Sequence, residues 1–141
     1  MLKIINLSIV TIMLLKKQVY ANVNNPRQMT LGDDGTVYVG SMNKAGGRIY
    51  AVLNPNNASK ASEVVVIAGG LKTPSGVTYK GGDLYVAAIS RIYRYNDIAN
   101  NIKSGNKPDI ITSKLPTRTH HGWKFIEFGA DGLLYIPIGA P

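Results

Sequence analysis

The sequence contains no cysteine, and among its 141 residues there are only two histidines and two glutamates. The missing cysteine excludes disulfide bonds, thiol catalysis and cysteine-ligated zinc. Glutamate favours helices, so its scarcity points towards strands and turns. The net charge is +8, but the basic residues are scattered and do not form a stripe or a motif. We therefore expect a solvated surface and no nucleic-acid partner.

Long apolar runs are also rare, and the clearest one covers residues 4–15, directly after a short basic start. This block of twelve residues is too short to cross a hydrocarbon core of about 30 Å, so we expect no stable membrane span. The run is followed by Val19 and Ala21 at the spacing that an export signal needs. We predict a signal peptide at residues 1–21 and a periplasmic or secreted protein. A buried N-terminal helix is the alternative.

Glycine, with 15 residues, and tyrosine, with 8, are plentiful, and both recur at fixed places. Three similar segments begin near Pro26, Pro74 and His121, and each has a strand-like run, a glycine turn and a second apolar run. The turn glycines are Gly35, Gly82 and Gly132, and the tyrosines of the second run are Tyr38, Tyr85 and Tyr135. In both sets of landmarks the spacing is 47 and then 50 residues.

Further strand candidates follow in each unit, at residues 47–53, 63–70, 90–95 and 108–116. A period near 50 residues with four short strands predicts a β-propeller. The tyrosine-bearing runs are almost continuously apolar, which is typical of strands buried on both faces. We predict an all-β fold in which residues 22–141 form about two and a half four-stranded blades. A β-sandwich and a single twisted sheet are the alternatives.

A piece of this size cannot close a ring, and it would leave unpaired strand edges. We therefore expect the chain to be the N-terminal part of a longer propeller or the product of an interrupted gene. We do not expect it to be active alone.

The two histidines are adjacent, at His120 and His121, just before the third strand-like run. Three interpretations stay open at this point: a metal ligand pair, a structural pair bonded to loop carbonyls, and a general base. A catalytic zinc site needs about three protein ligands, and neighbouring side chains of an extended segment point to opposite sides. We therefore predict no metal site. The position at the start of a blade, where the connection can face the central channel, favours the general base.

Three stretches resemble the glucose/sorbosone dehydrogenases, and the sorbosone dehydrogenase branch in particular. They read RQMTLGDDGTVYVGS, GGDLYVAAISRIYRY and LPTRTHHGWKFIEFGADGLLYIPIGAP, and the resemblance extends over residues 24–141. Members of this family are exported six-bladed propellers that use pyrroloquinoline quinone (PQQ). The resemblance implies an exported dehydrogenase that oxidises a small sugar or aldehyde substrate by hydride transfer to PQQ. It leaves the external electron acceptor unknown.

The same resemblance implies site residues. The family's base is the histidine eight residues before the glycine that opens the Gly-x-Asp-Gly turn, which here is Gly129, so the base is His121. Ser75 and His120 are candidates for cofactor contact, although family members often carry an amide where this chain has Ser75. Calcium is expected only in blades beyond this chain. Two other functions stay open: a non-catalytic remnant or binding segment, and a calcium-dependent sugar-lactone hydrolase.

Overall fold

The computed structural model describes residues 18–43, 46–56, 58–105 and 107–139. Most of the predicted signal peptide, residues 1–17, lies outside these ranges. No helix in the described part of the chain is both long and apolar enough to cross a membrane. Within the described ranges the elements are β1 Pro26–Leu31, β2 Val37–Ser41, β3 Gly47–Leu53, β4 Glu63–Leu71, β5 Gly76–Lys80, β6 Asp83–Ala87, β7 Ile92–Tyr95, α1 Ile98–Asn101, β8 Asp109–Thr112, β9 Glu127–Phe128 and β10 Leu134–Tyr135.

The first eight strands form two four-stranded antiparallel sheets, in the orders β1-β2-β3-β4 and β5-β6-β7-β8. Each strand pairs with its neighbour in the sequence, which is the arrangement of a propeller blade. β9 and β10 form the hairpin of a third unit. The predicted all-β propeller architecture is therefore confirmed, with two complete blades and the first hairpin of a third.

The turns between the first and second strands lie where the glycine spacing predicts them. Gly35, Gly82 and Gly132 have φ angles of 82°, 91° and 81°. Glycine adopts this left-handed backbone without the steric cost that a Cβ atom imposes. The three landmark tyrosines lie in β2, β6 and β10, the second strand of each unit. The hairpin prediction is confirmed at all three positions.

The core lies between the two complete sheets. Its largest cluster joins residues of both sheets: Tyr38, Ile49, Ala51, Val77, Leu84, Val86, Tyr95 and Ile98. A second cluster on the other face of the first sheet contains Val39, Tyr50 and Val52, with Ala21 and Val23 packed against it. β2 and β3 are thus buried on both faces, which explains why their sequences are almost continuously apolar.

The first strands of the three units lie side by side and run in the same direction. The Tyr79 N–H donates to Thr30 Oγ1 at 3.2 Å, and Ser75 Oγ donates to the Lys124 carbonyl at 3.1 Å. Both pairs are 49 residues apart, so the same contact recurs from one unit to the next. We call β1, β5 and residues 123–128 the inner segments.

Because consecutive strands are antiparallel, every connection from an even-numbered to an odd-numbered strand lies at the same end of the sheets. We call it the histidine end, since the β8–β9 connection carries His120 and His121. Its connections bond to one another and to neighbouring strand ends. The Ser41 N–H donates to the Pro74 carbonyl at 3.0 Å, and the Ile89 N–H donates to the Lys72 carbonyl at 3.1 Å. The histidine end is therefore one continuous surface built from several units.

The third unit departs from the prediction. A strand was expected from about residue 121, but pairing begins only at Glu127. The preceding residues turn instead, because the Gly122 N–H donates to the Thr119 carbonyl at 3.2 Å. β10 in turn ends at Tyr135, two residues before Pro137, whose nitrogen has no hydrogen to donate. The short helix α1 was not predicted at all.

Candidate functional site

The two histidines lie together in the turn at residues 119–122, and both are exposed. Their ring centroids are 4.0 Å apart and the ring planes meet at 70°. The expectation that the two side chains would point to opposite sides is wrong, because His121 has a left-handed backbone with φ 52° and is not extended. The Trp123 ring lies 5.8 Å from the His121 ring. His121 thus has an aromatic neighbour on each side along the chain.

The left-handed conformation of His121 is a property of the repeat. Asn25, Thr73 and His121 have φ angles of 47°, 50° and 52°, and successive members are 48 residues apart. Each of them stands just before an inner segment. Such a backbone is unusual for a residue other than glycine, most of all for a β-branched threonine. The backbone strain at His121 is therefore shared with the other blades, and the imidazole is what distinguishes the third unit.

Two glycines let the chain approach the histidine turn closely. A Cβ atom on Gly139 would lie 2.5 Å from the His121 carbonyl oxygen. A Cβ atom on Gly122 would collide with the Arg118 carbonyl oxygen and would also touch Ile89. Any side chain at either position would displace the turn. The backbone of His121 is consequently fixed from both sides.

The buried side chain of Lys124 is hydrogen-bonded to the same turn. Its side chain is 3% exposed, and its Nζ donates to the carbonyls of Ile89 at 2.6 Å and Gly122 at 2.8 Å. Burial lowers the pKa of the Lys124 ammonium, because a charge is costly away from water. In the described part of the chain the ion pairs involve other residues only, so no carboxylate compensates this charge.

Sequence reasoning missed Lys124. Exposed and buried side chains alternate in the order Trp123, Lys124, Phe125, Ile126, Glu127, with Lys124 and Ile126 buried. Alternating side chains of an extended segment face opposite sides. The sequence pattern favours the opposite orientation, because it places two aromatic residues, Trp123 and Phe125, on one face and the lysine on the other.

Ser75 is fully buried, and its hydroxyl is bonded to the backbone of Lys124. Its Oγ donates to the Lys124 carbonyl and accepts the Lys124 N–H, both at 3.1 Å. Ser75 therefore joins the second inner segment to the third. Cofactor contact at Ser75 stays a prediction, and the geometry of its hydroxyl gives it no support.

Two cavities border the histidine turn. The first has a volume of about 240 Å³ and is lined by Met42, Thr73, Thr119, His120 and Trp123. The second has a volume of about 100 Å³ and is lined by Pro116, Arg118, His120, His121, Gly122, Lys124, Ile138 and Gly139. His120 borders both cavities, so a ligand in either one would lie beside the histidine pair.

The larger cavity suits one face of a flat aromatic ligand. The indole of Trp123 and the thioether of Met42 offer polarisable surfaces, and the hydroxyls of Thr73 and Thr119 offer hydrogen bonds. No lysine, arginine or carboxylate side chain lines this cavity. Among the described residues, no three His, Cys, Asp or Glu side chains are grouped closely enough to hold a metal ion.

Comparisons with known proteins find weak similarities. No family model matches the chain. An uncharacterized protein of Borreliella burgdorferi is 26% identical over 111 residues, which are 77% of this chain and 24% of that protein. The chain thus spans about a quarter of the length of the curated relative it matches. The PQQ-bound aldose sugar dehydrogenase of Streptomyces coelicolor has a TM-score of 0.47 at 12% identity, and the match covers 72% of this chain and 33% of that one. The blade assignment rests on the sheets described above.

Proposed function

We propose that this chain is the N-terminal part of an exported PQQ-dependent dehydrogenase that oxidises a sugar hydroxyl or an aldehyde hydrate. The observation that carries the proposal is the position of His121. Its imidazole is exposed at the start of the third inner segment, on the end of the sheets where the connections of the units meet. The sequence resemblance around the histidine pair supports the reaction class.

In this proposal His121 acts as the general base. A neutral imidazole accepts a proton near pH 7, so it can take the proton from the substrate hydroxyl. When bound, PQQ would supply a two-electron acceptor for the hydride from the same carbon. His120 and Trp123 limit the orientations of the His121 ring, because their ring centroids lie 4.0 and 5.8 Å from it. Gly139 and Gly122 keep the turn in place, so the base starts the reaction already positioned.

The cofactor would lie in the larger of the two cavities. Trp123 and Met42 would hold one face of the ring system, and His120 would stand at its edge. This assigns to His120 the cofactor contact that the resemblance implies. Blades beyond this chain would have to complete the site, because two sheets and one hairpin do not close a propeller.

The first test is made on the 141-residue chain. Its single tryptophan, Trp123, lines the larger cavity, so added PQQ should quench tryptophan fluorescence in a saturable way. Met42→Ala should weaken the quenching, and Met29→Ala, in the exposed part of β1, should not. If PQQ quenches the fluorescence equally in Met42→Ala and Met29→Ala, the cofactor does not lie in this cavity.

The second test concerns the base and uses the complete protein that carries this segment. His121→Gln keeps the approximate size of the side chain and removes the proton acceptor. General-base catalysis contributes about 10²–10⁴-fold, so turnover should fall at least about a hundredfold while PQQ affinity changes little.

The neighbouring His120→Gln is the matched control, and it should cause a clearly smaller loss of turnover. Equal losses in the two variants would mean that the pair is structural. A larger loss at His120 would transfer the role of base to that residue.

A further inference from the structure

Lys124 carries a positive charge into the protein interior without a negative partner. Lysine is almost never fully buried unless it is paired, and a buried ammonium loses much of its hydration energy. An ammonium group has three hydrogens to donate, and the carbonyls of Ile89 and Gly122 take two of them. Among the described residues, one hydrogen of the ammonium has no acceptor and no carboxylate balances the charge.

The cavity beside Lys124 has an unusual lining. Its charged or titratable members are Arg118, His120, His121 and Lys124, and no carboxylate side chain lines it. The rest of the wall is apolar or backbone, from Pro116, Gly122, Ile138 and Gly139. A water molecule occupies about 30 Å³ in the liquid. A volume of about 100 Å³ is thus enough for a carboxylate group with a small substituent.

We propose that this cavity is a binding site for the carboxylate group of a small ligand, anchored by Lys124. One carboxylate oxygen would accept the third hydrogen of the Lys124 ammonium, and the other would face the donors of Arg118. Such charge-assisted hydrogen bonds are roughly twice as strong as neutral ones. Pro116 and Ile138 would contact the apolar part of the ligand.

The surroundings of Lys124 favour an anion over a neutral ligand. The charged side chains that line the cavity are Arg118 on the β8–β9 connection and Lys124 itself, and the two histidines of the turn line it beside them. The second blade contributes only the Ile89 carbonyl to the ammonium. A carboxylate in the cavity would offset the desolvation that lowers the Lys124 pKa. The inference depends on this cavity alone and not on PQQ or on catalysis by His121.

The test uses acetate and acetamide, which have nearly the same shape and differ in charge. The C–H signals of His120 and His121 in the 141-residue chain are followed by NMR at constant pH, with sodium chloride keeping the ionic strength fixed. Acetate should shift these signals saturably at millimolar concentrations, as expected for one or two charge-assisted bonds. Acetamide should cause no saturable shift.

Three variants locate the binding. Lys124→Met removes the charge at similar length and should weaken acetate binding at least about tenfold. Arg118→Gln changes an exposed side chain and should weaken it by about threefold to tenfold even where Lys124→Met fails to fold. Lys80→Met is the matched control, because Lys80 is an exposed lysine at the opposite end of the sheets, over the Phe128 ring. It should leave acetate binding unchanged.

The acetate and acetamide measurements decide whether the carboxylate site exists. Saturable binding of acetate that is lost in the Lys124 or Arg118 variant supports the site. Equal shifts with acetamide, a response that never saturates, or undiminished binding in both variants would each overturn it. PQQ takes no part in these measurements, so a negative result leaves the quenching and turnover tests of the proposed function unaffected.

Discussion

Gln28 in β1 connects all three inner segments with one side chain. Its Oε1 accepts the N–H groups of Val77 at 3.2 Å and Ile126 at 3.0 Å, and its Nε2 donates to the Ile126 carbonyl at 2.8 Å. Val77 and Ile126 are fully buried. Gln28→Leu keeps a similar volume but removes three hydrogen bonds and leaves three backbone groups without this partner.

The expected loss follows from the number and burial of these bonds. A typical hydrogen bond contributes about 0.5–1.5 kcal/mol net, and a buried group left unpaired costs about 1–3 kcal/mol. Gln28 itself is only half-buried, so water can reach part of the vacated space. We expect Gln28→Leu to lower the free energy of unfolding by about 3 kcal/mol, which is roughly a 10 °C lower melting temperature for a domain of this size.

Urea unfolding followed by two probes tests this expectation. Circular dichroism reports on all the sheets, whereas Trp123 fluorescence reports on the third unit, three residues before Ile126. Two of the three lost bonds go to Ile126, so the fluorescence transition should move more than the circular dichroism transition.

One further variant serves as a control. Thr30→Val removes one bond in the same strand, to Tyr79, and should cost about 1 kcal/mol. A loss below about 0.5 kcal/mol for Gln28→Leu, or a loss no larger than that of Thr30→Val, would refute the role of Gln28.

Two further predictions concern the third hairpin. Gly132→Val should lower the free energy of unfolding in urea by about 1–2 kcal/mol, because Gly132 has φ 81°. Ala130→Val in the same turn should lower it much less, and equal losses would contradict the turn assignment. Asp131 accepts the Leu133 N–H at 3.0 Å and the Tyr135 hydroxyl at 2.8 Å, and both bonds lower its pKa. A carboxyl group with a lowered pKa stabilises the folded state above its ordinary pKa and loses that contribution as the pH falls through the folded-state pKa. The Leu133 amide signal should therefore shift as the pH falls below about 4, and a shift of the same size in Asp131→Asn would show that this carboxylate is not responsible.

The sequence was sufficient for the two complete blades because their determinants are local. A glycine at Gly35 or Gly82 specifies its own turn, and the apolar run around Tyr38 specifies a strand buried on both faces. The third unit was less predictable, since the turn at His121 depends on contacts with Gly139 and with the second blade. Such contacts leave no local pattern near residue 121.

The same difference between local and long-range determinants applies to the candidate site. The position of the histidine pair could be predicted from the spacing of the repeat and from the resemblance. The 4.0 Å approach of the two rings could not, because it follows from the left-handed backbone of His121. The bond network between Ser75 and Lys124 was also missed, as it joins residues 49 positions apart.

The shared conformation of Asn25, Thr73 and His121 also bears on how such a protein can change over generations. Duplicating a blade copies this left-handed position together with the strand that follows it. A reactive side chain can then be gained there by a single codon change, since no new loop has to be built for it. The same change at Thr73 would present an imidazole from the neighbouring blade on an almost identical backbone. In a repeat of this kind, the reactive group can move between blades while the main chain that carries it stays the same.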